Sequence, residues 1–316
     1  MINLKNKKIL VTGGRGFLGK HVVSALQKHG VLNKNLYVPS SKQCDLRKVS
    51  DCEATVKNKD VVIHLAANIG GIGYNKNYPG TLFYENTIMG IQLMEAARLA
   101  GVKKFVTIGT VCEYPKNTAV PFNEESLWHG YPDETTAPYG LAKKALLVQG
   151  QAYRAQYNFN SIHVLPVNLY GPYDHFEDFG KEKSHVIPAL IKKVLDAKQH
   201  KDDHVVVWGS GRATREFIYV EDAAKGIIFA TINYNKPEPV NIGTGKETKI
   251  KDVVKLISKI IGYQGVIVWD KTKPDGQPRR ALDVSKAKKE FNFTAKTDLK
   301  TGLGKTINWY LKQRES

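Results

Sequence analysis

The chain has 316 residues, of which 47 are Lys or Arg and 30 are Asp or Glu, so its formal net charge is +17. This length suits one large or two ordinary domains, and a composition of 42% hydrophobic and 24% charged residues excludes wholesale disorder. No apolar run approaches the roughly 18 residues of a membrane span, and three cysteines without metal-ligand spacing favour neither a disulfide framework nor a zinc site.

The first residues and the spread of charge bear on location and partners. Residues 1–5 lead straight into a folding pattern without the apolar core of a signal peptide, which predicts a cytoplasmic protein. The 38 Lys and nine Arg are scattered over predicted helices and loops rather than gathered in one stripe. This distribution predicts a solvated surface that steers phosphorylated small molecules, with no nucleic acid and no membrane as partner.

In chain order, short apolar runs alternate with helical patterns through the first half, which predicts a parallel sheet covered by helices. Strands buried on both faces are continuous apolar runs of this kind. The predicted fold class is α/β, a Rossmann doubly wound parallel sheet with a second, smaller α/β lobe. The predicted strands cover residues 8–12, 35–38, 60–65, 104–108 and 161–165, and the predicted helices cover residues 21–29, 84–100 and 139–157, with Gly150 as a weak point.

The second half of the chain is less regular. Its patterns predict a loop at residues 173–184, a helix at 187–198 and a strand at 205–208, and then a strand at 217–219 and a helix at 220–232 that look like a return to the first domain. We therefore predict two interleaved lobes with the ligand in the cleft between them. The first comprises residues 1–170 plus 215–245, and the second residues 171–214 plus 246–316.

Residues 12–19, TGGRGFLG, join the first predicted strand to a helix and place glycines at three-residue spacings. Glycine permits the tight turn, the approach of the backbone to a pyrophosphate and close helix–strand packing, while the helix N-terminus supplies positive potential. The context predicts a dinucleotide site formed by Gly13, Gly14, Arg15, Gly16, Phe17, Leu18 and Gly19.

The end of the second predicted strand bears on which dinucleotide binds. An NAD site usually has an Asp or Glu there that accepts hydrogen bonds from the ribose 2′-hydroxyl. This chain has Ser40, Ser41 and Lys42 instead. Hydroxyls and a cation suit a 2′-phosphate, and Arg15 can add a bidentate contact. We favour NADP, with ordinary solvated loop residues as the alternative reading.

Tyr139 and Lys143 form a Tyr-x-x-x-Lys pair at the start of a predicted helix, where the spacing puts both side chains on one face. We expect the ammonium group of Lys143 to lower the pKa of Tyr139. Such a tyrosine can protonate a carbonyl oxygen while hydride reaches the carbon. Thr110 lies just past the fourth predicted strand, where its hydroxyl can bond the same oxygen.

Several segments together resemble the extended short-chain dehydrogenase/reductase family (NAD-dependent epimerase/dehydratase family), whose members act on nucleotide sugars. The resemblance runs from residue 8 to about residue 284. It sharpens towards the branch that uses NADPH to epimerise GDP-4-keto-6-deoxy-mannose at C3 and C5 and to reduce it at C4. The segments are AANIGGI at 66–72, TVCEYP at 110–115, APYGLAK at 137–143, NLYGP at 168–172, SHVIPAL at 184–190, VWGSG at 207–211, REF at 215–217 and KPDG at 273–276.

This resemblance implies NADP (as NADPH) as cofactor, a GDP-sugar as small-molecule substrate, and a homodimer paired through the two long helices of the first domain. It assigns the first lobe to the cofactor and the second to the nucleotide sugar. The implied cofactor contacts are Ala66, Ala67, Ile108, Gly109, Tyr139, Lys143, Pro166, Asn168, Leu169 and His185. The implied substrate contacts are Asn168, Lys193, Trp208, Arg215 and Asp275.

Two positions are diagnostic within the resemblance. Related dehydratases carry an Asp-Glu pair where this chain has Val111-Cys112, which disfavours dehydration. A 4-keto group acidifies the C–H bonds at C3 and C5, and inversion needs a base on one face and an acid on the other. Thiols and imidazoles exchange protons near neutral pH, and the resemblance implies that Cys112 and His185 do this work. No chemistry is assigned to Cys44, Cys52, His21, His29, His64, His129, His163, His175, His200 or His204.

Departures from the family leave alternatives open. Thr110 replaces the usual Ser, Glu113 replaces an apolar residue, and Asn68-Ile69 replaces Lys-Val. The alternatives are a reductase or epimerase of another GDP-4-keto-6-deoxy-hexose or heptose, a UDP-sugar 4-epimerase with NAD, and a non-catalytic NADP-binding regulator. Cys112 and His185 argue against the second alternative, and the intact set of catalytic side chains argues against the third.

Overall fold

The chain folds around three β-sheets, and the computed structural model describes residues 1–176, 184–273 and 275–315. Most of the predicted loop at 173–184 and residue 274 of the KPDG segment therefore lie outside the described residues. In chain order the strands are β1 (Ile9–Thr12), β2 (Leu36–Tyr37), β3 (Val61–His64), β4 (Lys104–Ile108), β5 (Ser161–Pro166), β6 (Asn168–Tyr170), β7 (His204–Trp208), β8 (Thr214–Tyr219), β9 (Val240–Ile242), β10 (Glu247–Lys249) and β11 (Val266–Asp270).

Helices follow most of these strands. α4 begins with a proline in its first turn, a position that suits proline because its missing N–H has no partner there. α5 continues unbroken through Gly150. The helices are α1 (Phe17–Lys28), α2 (Val49–Val56), α3 (Ile72–Asn77), α4 (Pro79–Leu99), α5 (Ala137–Tyr157), α6 (Val186–His200), α7 (Val220–Asn233), α8 (Ile250–Ile261), α9 (Ser285–Phe291) and α10 (Leu299–Glu315).

The largest sheet has six parallel strands in the order β2-β1-β3-β4-β5-β9. Its strands bury side chains on both faces. Ile9 and Val11 of β1 belong to a core shared with α1 and α7, whereas Leu10 belongs to a second core shared with α2, α4 and α5. Successive side chains of the strand therefore pack alternately against the helices on the two faces of the sheet. The predicted fold class, a doubly wound α/β sheet, is confirmed.

Two smaller sheets cover a third core. β6, β8 and β10 form one sheet, and β7 pairs in parallel with β11. Helices α6, α8 and α10 pack on them through buried residues that include Ile191, Val253 and Leu303. This is the second α/β unit that the sequence predicted, although the predicted lobe boundaries themselves stay a prediction.

The segment predicted to return to the first domain contacts both units, and its assignment to the first domain stays a prediction. α7 packs on the large sheet and β9 joins it, but β8 lies in the three-stranded sheet. The reason is visible along the strand, where Phe217 and Tyr219 enter the third core while Ile218 enters the first. An apolar run that is buried on both faces indicates a strand but not which sheet it joins.

The strand order positions the site. The chain passes from β1 to β2 on one side and then to β3 on the other, so the order reverses at β1. In open α/β sheets, ligands bind in the crevice outside the carboxyl ends of the strands at such a reversal. Among the described residues, no helix is long and apolar enough to cross a bilayer.

Candidate active site

The glycine-rich loop follows the carboxyl end of β1 and leads into α1. Gly13 has a φ of +66°, and a Cβ there would lie 2.7 Å from the backbone nitrogen of Ala66. A Cβ on Gly19 would lie 2.1 Å from the carbonyl oxygen of Gly13. Only glycine fits these contacts, so the loop backbone lies close against both β3 and the first turn of α1. The open N-terminus of α1 then suits an anionic group.

Most of the predicted cofactor residues line one cleft with this loop. Gly14 and Lys42 do not line it: a Cβ on Gly14 would lie 2.5 Å from the Val38 side chain, so this glycine permits packing against the segment after β2. The predicted residues on the cleft wall are Gly13, Arg15, Gly16, Phe17, Leu18, Gly19, Ser40, Ser41, Ala66, Ala67, Ile108, Gly109, Pro166, Asn168 and Leu169.

The corner predicted for the 2′-phosphate is organised by a residue that the sequence did not single out. Arg15 donates from Nε to the carbonyl oxygen of Val38 (3.2 Å) and from Nη2 to Oε1 of Gln43 (3.2 Å). The same Gln43 oxygen accepts a hydrogen bond from the backbone of Ser40 (3.0 Å). Because the Ser40 hydroxyl also donates to this oxygen (3.0 Å), the guanidinium group and that hydroxyl are brought to one corner, which is the donor set that a phosphate needs.

Cys112 lies in a short 3-10 turn, Val111–Glu113, that follows β4, and Thr110 is the N-cap residue of this turn. The Thr110 hydroxyl accepts a hydrogen bond from the backbone nitrogen of Cys112 (3.3 Å). Oε1 of Glu113 in return accepts the backbone N–H of Thr110 (2.8 Å). These two bonds form a capping box, which fixes the turn and with it the hydroxyl and the thiol.

Helix α5 brings Tyr139 and Lys143 against this turn. A Cβ on Gly140 would lie 2.2 Å from the carbonyl oxygen of Cys112, so helix and turn are in direct backbone contact. Burial raises the pKa of Tyr139, and nearby Cys112 and Glu113 add to the rise. Burial also lowers the pKa of Lys143 to about 8, against the opposing charge of Glu113.

The expectation that Lys143 lowers the pKa of Tyr139 is therefore wrong in this structure. Both side chains are buried, and desolvation of the phenolate, with the nearby Cys112 and Glu113, raises the pKa of Tyr139. Tyr139 is consequently a protonated phenol at neutral pH. A protonated phenol is the form that can donate a proton to a developing alkoxide.

His185 lies at the N-terminus of α6 and pairs with Asp174, a partner missed from the sequence. Its Nδ1 lies 3.1 Å from Oδ1 of Asp174, whose carboxylate is fully buried. Burial lowers the pKa of His185, but the hydrogen bond and charge of Asp174 outweigh it, so the net pKa is raised. The imidazole is therefore biased towards its protonated form.

Arg280 is a second partner that sequence reasoning missed. Its Nη1 donates towards the sulfur of Cys112 over 3.8 Å, and its Nε donates to Oε1 of Gln277 (2.7 Å). A guanidinium group thus faces the thiol, whereas a carboxylate faces the imidazole of His185. No local pattern links residues so far apart in the chain.

The predicted substrate residues divide into two groups. Lys193, Trp208 and Arg215 line the cleft. Burial lowers the pKa of Arg215 to about 10, with the charge of Arg280 adding, so the group stays cationic at neutral pH. Asp275 does not line the cleft among the described residues, because its carboxylate oxygens accept from the backbone nitrogen (2.7 Å) and the hydroxyl (2.6 Å) of Ser210.

Apart from Gly14, Lys42 and Asp275, the predicted cofactor and substrate residues surround one cleft of about 1450 Å³, whose wall also includes Thr110, Cys112, Tyr139, Lys143 and His185. A drug-sized ligand occupies a pocket of roughly 300–1,000 Å³. The cleft therefore has room for a dinucleotide and a second nucleotide-containing molecule side by side. Its glycine-rich loop meets the first, and its cationic far end, with Lys193 and Arg215, suits the second.

A doubly wound sheet with a glycine-rich loop, a Tyr-x-x-x-Lys pair and a neighbouring hydroxyl defines a protein of the extended short-chain dehydrogenase/reductase type. The chain belongs to the NAD dependent epimerase/dehydratase family, whose model matches residues 9–243.

Relatives with reported names make the position within the family more specific. The chain is 38% identical over 310 residues to GDP-L-fucose synthase 1 of Arabidopsis thaliana, covering 98% of this chain and 94% of the relative. It is 35% identical over 314 residues to GDP-L-colitose synthase of Yersinia pseudotuberculosis, covering 98% of this chain and 99% of the relative.

Two solved structures similar to this chain are also enzymes of GDP-sugars. A GDP-6-OMe-4-keto-L-xylo-heptose reductase from C. jejuni is similar with a TM-score of 0.89 and 28% identity, covering 98% of this chain and 99% of that one. A GDP-L-fucose synthetase from Naegleria fowleri bound to NADP is similar with a TM-score of 0.86 and 28% identity, covering 99% of this chain and 96% of that one.

Proposed function

We propose that this protein is an NADPH-dependent enzyme that epimerises GDP-4-keto-6-deoxy-D-mannose at C3 and C5 and reduces it at C4, giving GDP-L-fucose. The observation that carries the proposal is the docking of the Thr110–Cys112 turn against Tyr139, with His185 on the wall of the same cleft. The GDP-L-fucose synthases among its relatives support this choice of substrate.

The cofactor part of the proposal rests on the loop and on the corner around Arg15. The cradle at Gly13 and Gly19 has no space for side chains, which fits a pyrophosphate, and the corner around Arg15 and Ser40 fits a 2′-phosphate better than a bare hydroxyl. NADPH supplies hydride to the keto carbon when bound. The NADP bound to the Naegleria fowleri relative supports NADP over NAD.

Epimerisation needs a base and an acid on opposite faces of the sugar. Cys112, as the thiolate, takes the C–H proton and becomes the thiol, while the electron pair of the C–H bond moves to the keto oxygen as the enolate forms. Tyr139 and Thr110 donate hydrogen bonds to that oxygen. His185 returns a proton to the opposite face of the carbon, because Asp174 biases its imidazole towards the protonated form.

Reduction uses the same oxygen-binding groups. Tyr139 transfers its phenolic proton to the C4 oxygen, and Lys143 compensates the phenolate charge that remains. The raised pKa of Tyr139 makes the phenol available as an acid across the physiological range. At the far end of the cleft, Arg215 and Lys193 hold the diphosphate and Trp208 offers an apolar face to the sugar nucleotide.

A second candidate within the same chemistry is a 4-reductase or epimerase of another GDP-4-keto sugar. The similarity of this chain to a GDP-L-colitose synthase and to a GDP-heptose reductase supports this second candidate. The residues that depart from the family, Asn68, Ile69 and Glu113, bear on it as well, because the first two line the cleft. The product formed from each sugar decides between the candidates.

The predicted homodimer and cytoplasmic location belong to this proposal. α4 and α5 pack on the large sheet and still expose apolar side chains, including Tyr84, Leu99 and Val148. Pairing through these helices would cover them. Light scattering after size exclusion tests the assembly, and a monomeric mass at micromolar concentration contradicts it.

The test uses the purified protein with NADPH and GDP-4-keto-6-deoxy-mannose. NADPH oxidation is followed optically and the product sugar is identified by NMR, with a heptose analogue and a UDP-hexose as parallel substrates. Tyr139→Phe should cripple turnover, whereas Cys112→Ser should block inversion at C3 and C5 while sparing hydride transfer. No NADPH oxidation with any 4-keto sugar refutes the reductase, and a product with the manno configuration refutes only the epimerase.

A further inference from the structure

A carboxylate and an imidazole that the proposed chemistry does not use lie directly beneath the Thr110–Cys112 turn. Glu113 is fully buried and His163, on β5, is 2% exposed. Nε2 of His163 lies 3.2 Å from each carboxylate oxygen of Glu113, and Nδ1 lies 2.7 Å from the hydroxyl of Thr107 on β4. Burial of an ionisable pair is costly unless its geometry is fixed and its hydrogen bonds are made.

The pair is bonded to the turn itself. Oε1 of Glu113 accepts the Thr110 backbone N–H at 2.8 Å. There is no space for a side chain between them, since a Cβ on Gly109 would lie 2.2 Å from Nε2 of His163 and 2.3 Å from Oε1 of Glu113. The carboxylate is thus anchored from β5 and holds the residue that carries the substrate-facing hydroxyl.

Charged and titratable groups surround Glu113 on each element that packs against it. Strand β5 contributes His163, and the turn that contains Glu113 contributes Cys112 and Tyr114. On α5 they are Tyr139, Lys143 and Lys144, and Glu113 raises the pKa of both lysines against the lowering effect of burial. Helix α5 touches Glu113 directly, since a Cβ on Gly140 would lie 3.3 Å from the backbone nitrogen of Glu113. Lys143, on the same helix, is buried with a pKa of about 8, so its charge between pH 7 and 9 is sensitive to a nearby anion.

We propose that Glu113 is a positioning residue: its carboxylate, anchored by His163, holds the Thr110–Cys112 turn and supplies the buried counter-charge that keeps Lys143 cationic. The inference rests on the proposed function, from which Thr110 and Lys143 take their roles. It accounts for an acidic side chain at a position where the family has an apolar one. The carboxylate does not touch the substrate and acts through these two residues.

The decisive variant is Glu113→Gln. Glutamine keeps the acceptor for the Thr110 N–H and can donate to His163, so it removes the charge with little change of shape. The basic limb of the kcat–pH profile should move about one unit to lower pH, because an opposite charge at close range shifts a pKa by roughly one unit or more. This gives about tenfold lower kcat at pH 8.5 and nearly unchanged kcat at pH 6.

A second measurement needs no sugar substrate. NADPH affinity is measured by fluorescence from pH 6 to 9.5. The Glu113→Gln protein should lose affinity at lower pH than the unmodified protein, since Lys143 lines the cleft and the family resemblance implies that it contacts the cofactor. Glu113→Asp keeps the charge and should retain the normal pH dependence with a lower kcat. Glu124→Gln is the matched control, because Glu124 is a buried carboxylate in the same region whose partner is the backbone of Asn241 (2.9 Å).

Failure of the proposed function and failure of the role of Glu113 give different results in these measurements. If the unmodified protein oxidises no NADPH with a 4-keto sugar, the proposed function fails, and the NADPH-binding measurement still decides the role of Glu113. If Glu113→Gln only lowers the Tm and keeps both pH profiles, or if Glu124→Gln shifts them equally, the proposal is overturned. Should Glu113→Gln not fold, the double change Glu113→Met with His163→Leu removes both polar partners together, and the same two profiles apply to it.

Discussion

The pairing of Asp174 with His185 gives a sharp prediction for Asp174→Asn. In the unmodified protein, Nδ1 of His185 lies 3.1 Å from Oδ1 of Asp174. Asparagine keeps the shape of the side chain and an oxygen that can accept a hydrogen bond from this nitrogen, but it removes the negative charge. Without the charge of Asp174, burial should outweigh the remaining hydrogen bond and move the pKa of His185 below its ordinary value instead of above it. The change therefore converts an imidazole biased towards protonation into a neutral one at pH 7.

The size of the effect follows from the contact. An opposite charge at hydrogen-bonding distance shifts a pKa by roughly one to two units, so the protonated fraction of His185 at pH 7 to 8 should fall roughly 10- to 100-fold. A hydrogen bond to a charged group contributes about 1.5–3 kcal/mol to stability. Because the His185 side chain is 35% exposed, solvent screening reduces this to about 1 kcal/mol.

The sign of the pH dependence separates this role from a general loss of structure. A histidine with a raised folded pKa contributes stability that is fully present below pH 6.5 and is lost as pH rises through the folded pKa. Asp174→Asn should therefore cost about 1 kcal/mol at pH 6 and less at pH 9, as measured by urea unfolding.

The matching activity assay follows deuterium incorporation from solvent at C3 and C5 of the substrate by NMR. Incorporation by Asp174→Asn should be strongly reduced at pH 8 and should recover towards pH 5.5, where bulk solvent protonates the imidazole. Hydride transfer, measured separately by NADPH oxidation, should change far less. A uniform loss of exchange at every pH, or an unchanged profile, would refute the assignment of Asp174 to His185.

Two further predictions concern the ends of the cleft. Gly19→Ala places a Cβ 2.1 Å from the carbonyl oxygen of Gly13, and overpacking of about 1–3 kcal/mol should weaken NADPH binding at least fivefold in a fluorescence titration. Gly80→Ala, with open space around its Cβ, is the control and should bind NADPH normally. Asp275→Ala should raise the KM for the sugar nucleotide roughly 5- to 20-fold by releasing the turn at Ser210, and Ser210→Ala should raise it as well. A KM left unchanged by Ser210→Ala would instead indicate direct substrate contact by Asp275.

The features that could be predicted from the sequence are those whose signal is local. β4 covers the predicted residues 104–108, because all five positions are buried and the run has clear ends. β2 was predicted at residues 35–38 and covers only Leu36–Tyr37, since an exposed edge strand has little burial to sustain it. The first helix is predicted from residue 21 but begins at residue 17, because residues 17–19 belong to the predicted glycine loop and also form part of the first turn of α1.

The same distinction holds for the site. The glycine loop and the Tyr139–Lys143 pair each lie within one segment, so spacing alone revealed them. The groups that tune them come from elsewhere in the chain. His163 is 50 residues from Glu113, and Arg280 is 168 residues from Cys112. No periodicity or motif connects such partners, because their proximity is a product of sheet order and of packing between the sheets.

Strand β8 of the three-stranded sheet explains how these distant groups meet. β8 packs into the first core through Ile218 and into the third core through Phe217. The fully buried carboxylate of Glu216, on the same strand, accepts backbone N–H groups from Gly245 (2.8 Å) and Leu282 (2.7 Å). β8 therefore joins the two cores and holds the segment that precedes residue 282.

That segment carries Arg280 towards the sulfur of Cys112, which follows β4 of the large sheet. His185, by contrast, is fixed at the start of α6, a helix of the third core. The proposed base thus follows a strand of the large sheet and the proposed acid begins a helix of the third core, and both line one cleft. Inversion of a carbon centre needs a base on one face and an acid on the other, and two groups supplied by separately packed elements can meet that need.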